Sequence, residues 1–144
     1  MNRVDFYILR EQTPEARWQF AGRLADKARR LGHRVLLTVD SEAEAGALDE
    51  FLWAHPEDSF LPHRLINDNA LLATHIEIAP ADRAGHTETH NDVLINLGRS
   101  VPEGFERFDR LAEIVIQSDE VLKSTREHFS FYKARGYPVH HQQL

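Results

Sequence analysis

The segment 34–63, RVLLTVDSEAEAGALDEFLWAHPEDSFLPH, decides the fold. Its first part, VLLTV at 35–39, is a near-continuous apolar run of the kind that is buried on both faces of a parallel sheet. Ser41 then offers an N-cap to a helix, and Glu44, three residues on, can complete a capping box. The helix is expected to end before Pro56. Its apolar side chains recur at helical spacing, at Leu48, Phe51 and Leu52.

The end of this helix and the loop after it carry large apolar side chains, where a loop would normally be hydrophilic. They are Trp53, Phe60, Leu61 and Pro62. One interpretation is that these side chains fold back as a satellite of the core. The other is a docking patch for a partner protein, because Trp and Phe commonly anchor interfaces. The residues alone leave both interpretations open.

Strands and helices alternate along the rest of the chain. A strand at 4–9 precedes a helix that Thr13 caps, that has Pro14 at its first position and that Gly32 ends. Further strands are expected at 75–79, 92–97 and 111–117, a short helix at 102–108, and a last helix at 119–136 that Asp119 can cap.

This alternation predicts a three-layer, Rossmann-like α/β domain with a mainly parallel central sheet. The long connection between the third and fourth strands leaves room for an antiparallel pair. We assign residues 1–138 to a single domain. The tail 139–144, VHHQQL, has no periodicity and is expected to be disordered.

The composition is that of an ordinary folded domain. The 144 residues are 42% hydrophobic and 28% charged, which excludes disorder as the global state. Cysteine is absent, which excludes disulfides, thiolate zinc sites and cysteine nucleophiles. The first apolar run is too short for a signal peptide or a membrane span, so the expected location is the cytoplasm, without membrane contact.

Charge is distributed unevenly. The chain carries a net charge of −6, yet 123–135 holds four cations and one anion, a net +3 against −9 for the remainder. Binding to a DNA duplex depends on many Lys and Arg side chains that neutralise phosphates, so any contact with nucleic acid is expected to be indirect. A small cationic island on an acidic body suits a short acidic peptide better.

Motifs for catalysis and cofactors are missing or weak. Neither G-x-G-x-x-G nor G-x-x-x-x-G-K-[ST] occurs, so no nucleotide cofactor is expected. His86, His90 and Asp92 in HTETHND would suit zinc only in a helix, and Gly85 with two threonines favours a polar loop without metal. Asp40 follows a strand, where α/β active sites lie, although helix capping explains it. An α/β hydrolase or metal-dependent enzyme that uses His86, His90, Asp92 and Asp40 is the alternative.

The last helix carries two neighbouring stripes of side chains. The apolar stripe is Leu122, Thr125, Phe129 and Tyr132, and the polar, cationic stripe is Lys123, Arg126, Ser130 and Lys133. One interpretation is a core stripe beside a solvated charged face. The other is a groove with an apolar wall and a cationic rim. Such a groove would suit a peptide that ends in an aromatic residue and a free carboxylate.

Several of these stretches together resemble the chi subunit of bacterial DNA polymerase III. They are LDEFLW, the following proline and SFLPH, with VDFYIL near the start, the strand DVLINL and RExxxxYKxxG in the last helix. The resemblance covers most of the chain and is weak at 65–90. It implies the same Rossmann-like fold and an accessory subunit of a DNA-directed DNA polymerase holoenzyme, without catalytic activity of its own.

The resemblance also implies two docking sites. Chi proteins hold the acidic C-terminal tail of single-stranded-DNA-binding protein on the last helix, which implies Arg126 as a carboxylate clamp beside Lys123, Phe129 and Lys133. Ser130 stands where better-known members have a second basic residue. The SF-x-PH loop implies that the psi subunit, or a helicase in its place, docks at Trp53, Phe60 and Pro62. The chain is thus predicted to bridge the clamp-loader assembly, through psi, to protein-coated single-stranded DNA.

Overall fold

The computed structural model describes residues 1–54, 64–65, 76–82 and 92–144. Their strands form one seven-stranded sheet of order β3-β4-β2-β5-β6-β1-β7, and every neighbouring pair in it is parallel. The predicted α/β class with a parallel central sheet is confirmed. The elements are β1 Arg3–Ile8, α1 Pro14–Arg30, β2 Val35–Val39, α2 Glu42–Ala54, β3 Arg64–Leu65, β4 Ile76–Pro80, β5 Val93–Asn96, a 3₁₀ helix Phe105–Arg107, β6 Arg110–Val115, α3 Asp119–Ala134 and β7 Val139–Gln143.

Two hydrophobic clusters, one on each face of the sheet, produce the three layers. The first packs α1 and α2 against the sheet, through side chains such as Ala25 and Leu48. The second packs α3 and the 3₁₀ helix against the opposite face, through side chains such as Tyr132 and Phe105. β2 is buried at all five positions, as its apolar run predicts, because it lies between β4 and β5 and under both clusters.

The helix caps follow the sequence with two small differences. The Thr13 side chain accepts the N–H of Ala16 at 3.3 Å, and the Ser41 hydroxyl accepts that of Glu44 at 3.1 Å, both as predicted. The Glu44 carboxylate accepts the N–H of Asp40, at 3.4 Å, whereas a capping box would use the N–H of the cap residue Ser41. At α3 the cap is Ser118, whose side chain accepts the N–H of Val121; the prediction of Asp119 was wrong by one residue.

The tail is an edge strand, which corrects the expectation of disorder at 139–144. β7 pairs with β1 in parallel register, and its ends are fixed by bonds from Val4 N–H to the Pro138 carbonyl and from the N–H of Leu144 to the Ile8 carbonyl. The His141 ring stacks on Phe6, with centroids 5.6 Å apart. An edge strand needs only one row of hydrogen bonds and tolerates exposed polar side chains, so VHHQQ forms one without any hydrophobic alternation.

Candidate protein-docking site

Helix α3 buries a different set of side chains from the stripe that its apolar residues predict. The buried column is Ser124, His128 and Tyr132, each four residues after the last. Of the predicted stripe only Tyr132 is fully buried, while the other three members, Leu122, Thr125 and Phe129, are half-buried. The predicted stripe therefore lies along the flank of the helix, where apolar surface remains open beside the cations.

The buried column is held by a polar network around Glu113 of β6, whose side chain is 3% exposed. One of its carboxylate oxygens accepts the Tyr132 hydroxyl at 2.7 Å and the Asn96 amide at 3.0 Å, and it lies 3.1 Å from Nδ1 of His128. Three donors on one oxygen satisfy a buried carboxylate that would otherwise be costly to desolvate. The network fixes the rotation of α3 about its own axis.

The geometry favours the charged form of His128. Its Nε2 lies 2.8 Å from the Arg99 carbonyl, and a ring that faces an acceptor at each nitrogen must donate from both. Burial acts to lower the pKa of His128, but the hydrogen bond to Glu113 and its negative charge outweigh that effect and raise the pKa. Burial, reinforced by the charge of Glu113, also raises the pKa of Tyr132, which keeps its hydroxyl protonated as a donor.

Sequence reasoning missed this network. The signal for it was a single Glu inside the apolar strand LAEIVI and a His four residues before a Tyr on the last helix. A charged residue in an otherwise buried run requires a partner, and that requirement points to the facing helix.

With α3 fixed in this way, four side chains form a column on its open flank. Leu122, Arg126, Phe129 and Lys133 follow one another at three- and four-residue steps, which places them side by side on a helix. The Phe129 ring packs on Phe6 and His141, with centroids 6.0 and 5.2 Å away, and Nζ of Lys133 lies 5.4 Å from its centre.

The cations of this flank are available to a ligand. Arg126 and Lys123 are exposed, and neither forms an ion pair with any residue that the structure describes. The structure thus places all four residues predicted for tail binding on the side of α3 away from its buried column: an aromatic ring fixed by its neighbours with Lys133 beside it, and the exposed Arg126 and Lys123 on the preceding turns. We call Lys123, Arg126, Phe129 and Lys133 the α3 flank.

The cleft at the carboxyl ends of the strands, where α/β proteins commonly bind nucleotides, is lined by the protein's own ion pairs. It measures about 530 Å³. The Arg99 guanidinium lies 2.8 Å from Glu120 and 3.4 Å from Asp40. Asp40 also accepts the N–H of Arg99 at 2.6 Å, and a Cβ on Gly98 would lie 2.8 Å from its carboxylate. The role of Asp40 is therefore to fasten the loop after β5 to the end of β2.

The residues of the enzyme alternative do not come together in the described part of the chain. Asp92 precedes β5, where its carboxylate accepts the N–H of Arg34 at 2.7 Å, whereas Asp40 follows β2. Because β2 and β5 are parallel neighbours, these carboxylates lie at opposite ends of the two strands, roughly 15 Å apart or more for strands of this length. His86 and His90 lie outside the described residues. Among the described residues, no group of three or more His, Asp or Glu side chains is placed to hold a metal ion.

The second predicted dock falls on a part of the chain that the structure leaves out. Phe60 and Pro62 lie outside the described residues. Trp53 lies in the last turn of α2, and its side chain is outside them as well. Docking at these three residues therefore stays a prediction.

Comparison with known proteins places the whole chain in one family. The family model described as DNA polymerase III chi subunit, HolC, matches residues 1–140. The chain belongs to the DNA polymerase III chi family. It is 36% identical to the DNA polymerase III subunit chi of Pseudomonas aeruginosa, over 100% of this chain and 98% of that protein. It is 31% identical to the Escherichia coli subunit of the same name, over 95% of each chain.

A solved structure supports the fold of this chi-family chain independently of sequence. The crystal structure of T4 UvsW matches it with a TM-score of 0.68 at 8% identity, over 99% of this chain and 41% of that one. At that identity the likeness concerns the fold alone. As a chi-family member, the chain is an accessory subunit of the DNA polymerase III holoenzyme, with a role in DNA replication. No helix in the described ranges is long and apolar enough to cross a membrane.

Proposed function

We propose that this chi subunit is a non-catalytic adaptor with two separate peptide docks. The α3 flank would hold the acidic C-terminal tail of single-stranded-DNA-binding protein. The loop around Phe60, with Trp53 and Pro62, would hold the psi subunit or a helicase. The observation that carries the proposal is the half-buried Phe129 ring, fixed by Phe6 and His141, with Lys133 beside it and two further exposed cations, Arg126 and Lys123, on the same helix.

The chemistry of the α3 flank matches such a tail. The tail would end in an aromatic side chain and a free carboxylate. Phe129 and Leu122 offer apolar surface for the ring, and the fork of Arg126 can grip the carboxylate at two points. Lys123 and Lys133 would attract the acidic residues before it. Ser130, also exposed, stands where better-known members have a second basic residue, so the helix offers the tail one cation fewer. We therefore expect a modest affinity, on the order of micromolar.

Joining the two docks on one rigid domain explains how weak contacts can serve replication. A protein-coated single strand presents many tails at a high local concentration. A holoenzyme tethered through psi would rebind these tails quickly, so avidity would exceed the affinity of either contact. Contact with DNA would then be indirect, as the net charge of −6 favours.

The decisive test is calorimetry with a synthetic peptide that copies the acidic, Phe-terminated tail. Arg126→Ala should weaken binding by on the order of 2 kcal/mol, about thirty-fold, because the carboxylate loses its two-point contact. Arg126→Lys should recover only part of this, since an ammonium cannot make the planar contact. Binding should also weaken from about 0.05 to 0.5 M salt, where the screening length shortens.

Two controls make this test specific. Lys27→Ala removes an exposed cation from α1, on the other face of the sheet, and should leave the affinity unchanged. A peptide with one residue added after its terminal Phe should bind poorly, because its carboxylate is displaced from the clamp. Tail binding that is as tight in Arg126→Ala as in wild type would show that the site is elsewhere.

The second dock is tested on Phe60. If Phe60 anchors the partner, Phe60→Ala should cost about 2 kcal/mol or more of binding to psi, with an almost unchanged melting temperature. If the ring belongs to the core, the substitution should cost about 3–5 kcal/mol of folding stability instead. Thermal melting and co-purification with psi, on the same variant, separate the two; a large fall in melting temperature would refute the docking role.

A further inference from the structure

One region of the sheet lacks a covering helix among the described residues. On the face that carries α1 and α2, α1 lies beside β1 and β7 and leaves an open groove of about 1080 Å³. Tyr7 and Gln142 are part of its floor, and Leu144 lies at one end. This groove is on the opposite face from α3, whose cluster packs against Val4 and Phe6. It is therefore separate from the α3 flank.

The wall of the groove is a second apolar series of α1, which packs against the core only in part. The helix contacts the sheet through small buried residues, Ala21, Gly22 and Ala25. A second series, Phe20, Leu24, Ala28 and Leu31, recurs at helical spacing along the side that lines the groove. Leu31 is 68% exposed and Leu144 is 48% exposed, the highest values among the described large apolar side chains.

Cationic side chains outnumber carboxylate side chains four to two among the residues that line the groove. Arg23 and Lys27 are exposed on α1, and neither has an ion-pair partner within the described ranges. Arg110 stands at one end, where it and Arg3 hold the buried Asp5 carboxylate at 3.0 and 2.6 Å. The carboxylate in the floor is thus already neutralised. On a chain of net charge −6, unpaired cations beside exposed leucines select an occupant that is both acidic and apolar.

The shape of the groove favours a helix over a nucleic-acid strand. Bases need free aromatic faces to stack on, but the rings of Tyr7 and Phe20 are half-buried and pack on each other, with centroids 5.5 Å apart. The floor runs the length of β1, six residues or about 20 Å, beside a helix of seventeen. A helix of about four turns beside α1 would occupy the position that an α/β sheet normally fills with its next helix.

We propose that the groove between α1 and the open face of β1 and β7 docks an acidic, amphipathic helix of a partner protein. Its apolar stripe would lie on Phe20, Leu24 and Leu31, and its carboxylates would face Arg23 and Lys27. This contact would be a third dock, independent of the two proposed above.

The probe is a synthetic sixteen-residue helical peptide with leucines at three- and four-residue steps and glutamates beside them. Two comparison peptides are used, one with every Glu replaced by Lys and one with the same residues in scrambled order. We expect the acidic peptide to shift the backbone NMR signals of α1, β1 and β7 in the intact protein. The Lys and scrambled peptides should not. Arg23→Glu with Lys27→Glu should weaken the acidic peptide by about ten-fold or more, and Leu31→Ser should weaken it without unfolding an exposed site.

A matched control keeps this dock distinct from the α3 flank. Arg126→Glu reverses an equally exposed, unpaired cation on the other face and should change the affinity of the helical peptide by less than about two-fold. Conversely, the Arg23 and Lys27 variant should still bind the tail peptide. Absence of binding at about millimolar peptide, equal binding of the Lys or scrambled peptide, or signal shifts confined to α3 would each overturn the proposal. A self-association that the Arg23 and Lys27 variant abolishes would make a second copy the occupant and would overturn it as well.

Discussion

Helices α1 and α3 lie on opposite faces of one sheet and are fixed to it by different means. α1 contacts the sheet through small apolar side chains, Ala21, Gly22 and Ala25, and its Arg17 donates to the backbone carbonyls of Ile114 and Leu97 at 2.8 and 2.9 Å. α3 is fixed by hydrogen bonds from His128 and Tyr132 to the buried Glu113. The difference teaches that the rotation of α3, and with it the position of Arg126 and Phe129, is set by bonds to one buried side chain. The position of α1 is set by close apolar packing and by bonds from Arg17 to backbone carbonyls.

The largest expected effect comes from breaking the polar network. Glu113→Ala leaves His128 buried without its carboxylate partner, and leaves the Tyr132 hydroxyl and one amide hydrogen of Asn96 without an acceptor. We expect a loss of about 3–5 kcal/mol of folding stability. For a chain of this size that corresponds to a fall of on the order of 10 °C in melting temperature, measurable by circular dichroism.

The control for that measurement is Glu103→Ala, which removes an exposed carboxylate and should change stability by less than about 0.5 kcal/mol. If the two variants melt at the same temperature, the network does not hold α3, and the contrast between the helices is wrong.

The stability of the packing between α1 and the sheet should depend on side-chain volume. Ala25→Leu adds three carbon atoms at a position with 0% exposure against the sheet, which should cost about 1–3 kcal/mol of stability through forced displacement of the helix. Ala28→Leu makes the same change three residues on, at a half-buried position that lines the groove, and should cost much less. Urea unfolding of the pair checks this; equal losses would mean that the groove side is packed as tightly as the sheet side.

A smaller effect, specific to α3, should appear with pH. The pKa of His128 is raised in the folded protein, so the stability from its pairing with Glu113 is fully present below the unfolded pKa of about 6.5. It is lost as the pH rises through the higher, folded pKa. We expect wild type to lose more unfolding free energy than His128→Gln between pH 6 and pH 9. Parallel pH profiles for the two proteins would show that His128 is not a cation in the folded state.

The sequence was sufficient for most of the fold because its signals are local. The VLLTV run, the caps at Thr13 and Ser41 and the stop at Gly32 each depend on a few adjacent residues, and all are as predicted. β7 was missed because pairing with β1 is a contact between the two ends of the described chain, and an edge strand requires no pattern of its own.

The sequence predicts which residues of α3 share the candidate site, but not the hydrogen-bond network that holds the helix in place. The spacing of Arg126, Phe129 and Lys133 along one helix is visible in the sequence, and the structure brings them to one flank. That His128, rather than the predicted stripe, faces the core follows from Glu113 on a strand fifteen residues away. The spacing of residues within a helix cannot predict a hydrogen bond to a residue of another element.

The position of β1 has a consequence for how the chain folds. In the described sheet, β1 pairs only with β6 and β7, and 105 residues separate Asp5 from its partner Arg110. During synthesis β1 therefore has no partner strand while α1, β2 and α2 are made. Closing so long a loop is slow, and the apolar side chains of Val4 and Phe6 stay in water until β6 has left the ribosome. Among the described strands, β1 is thus one of the last to find its partners, and until then its apolar side chains are open to aggregation and to chaperones.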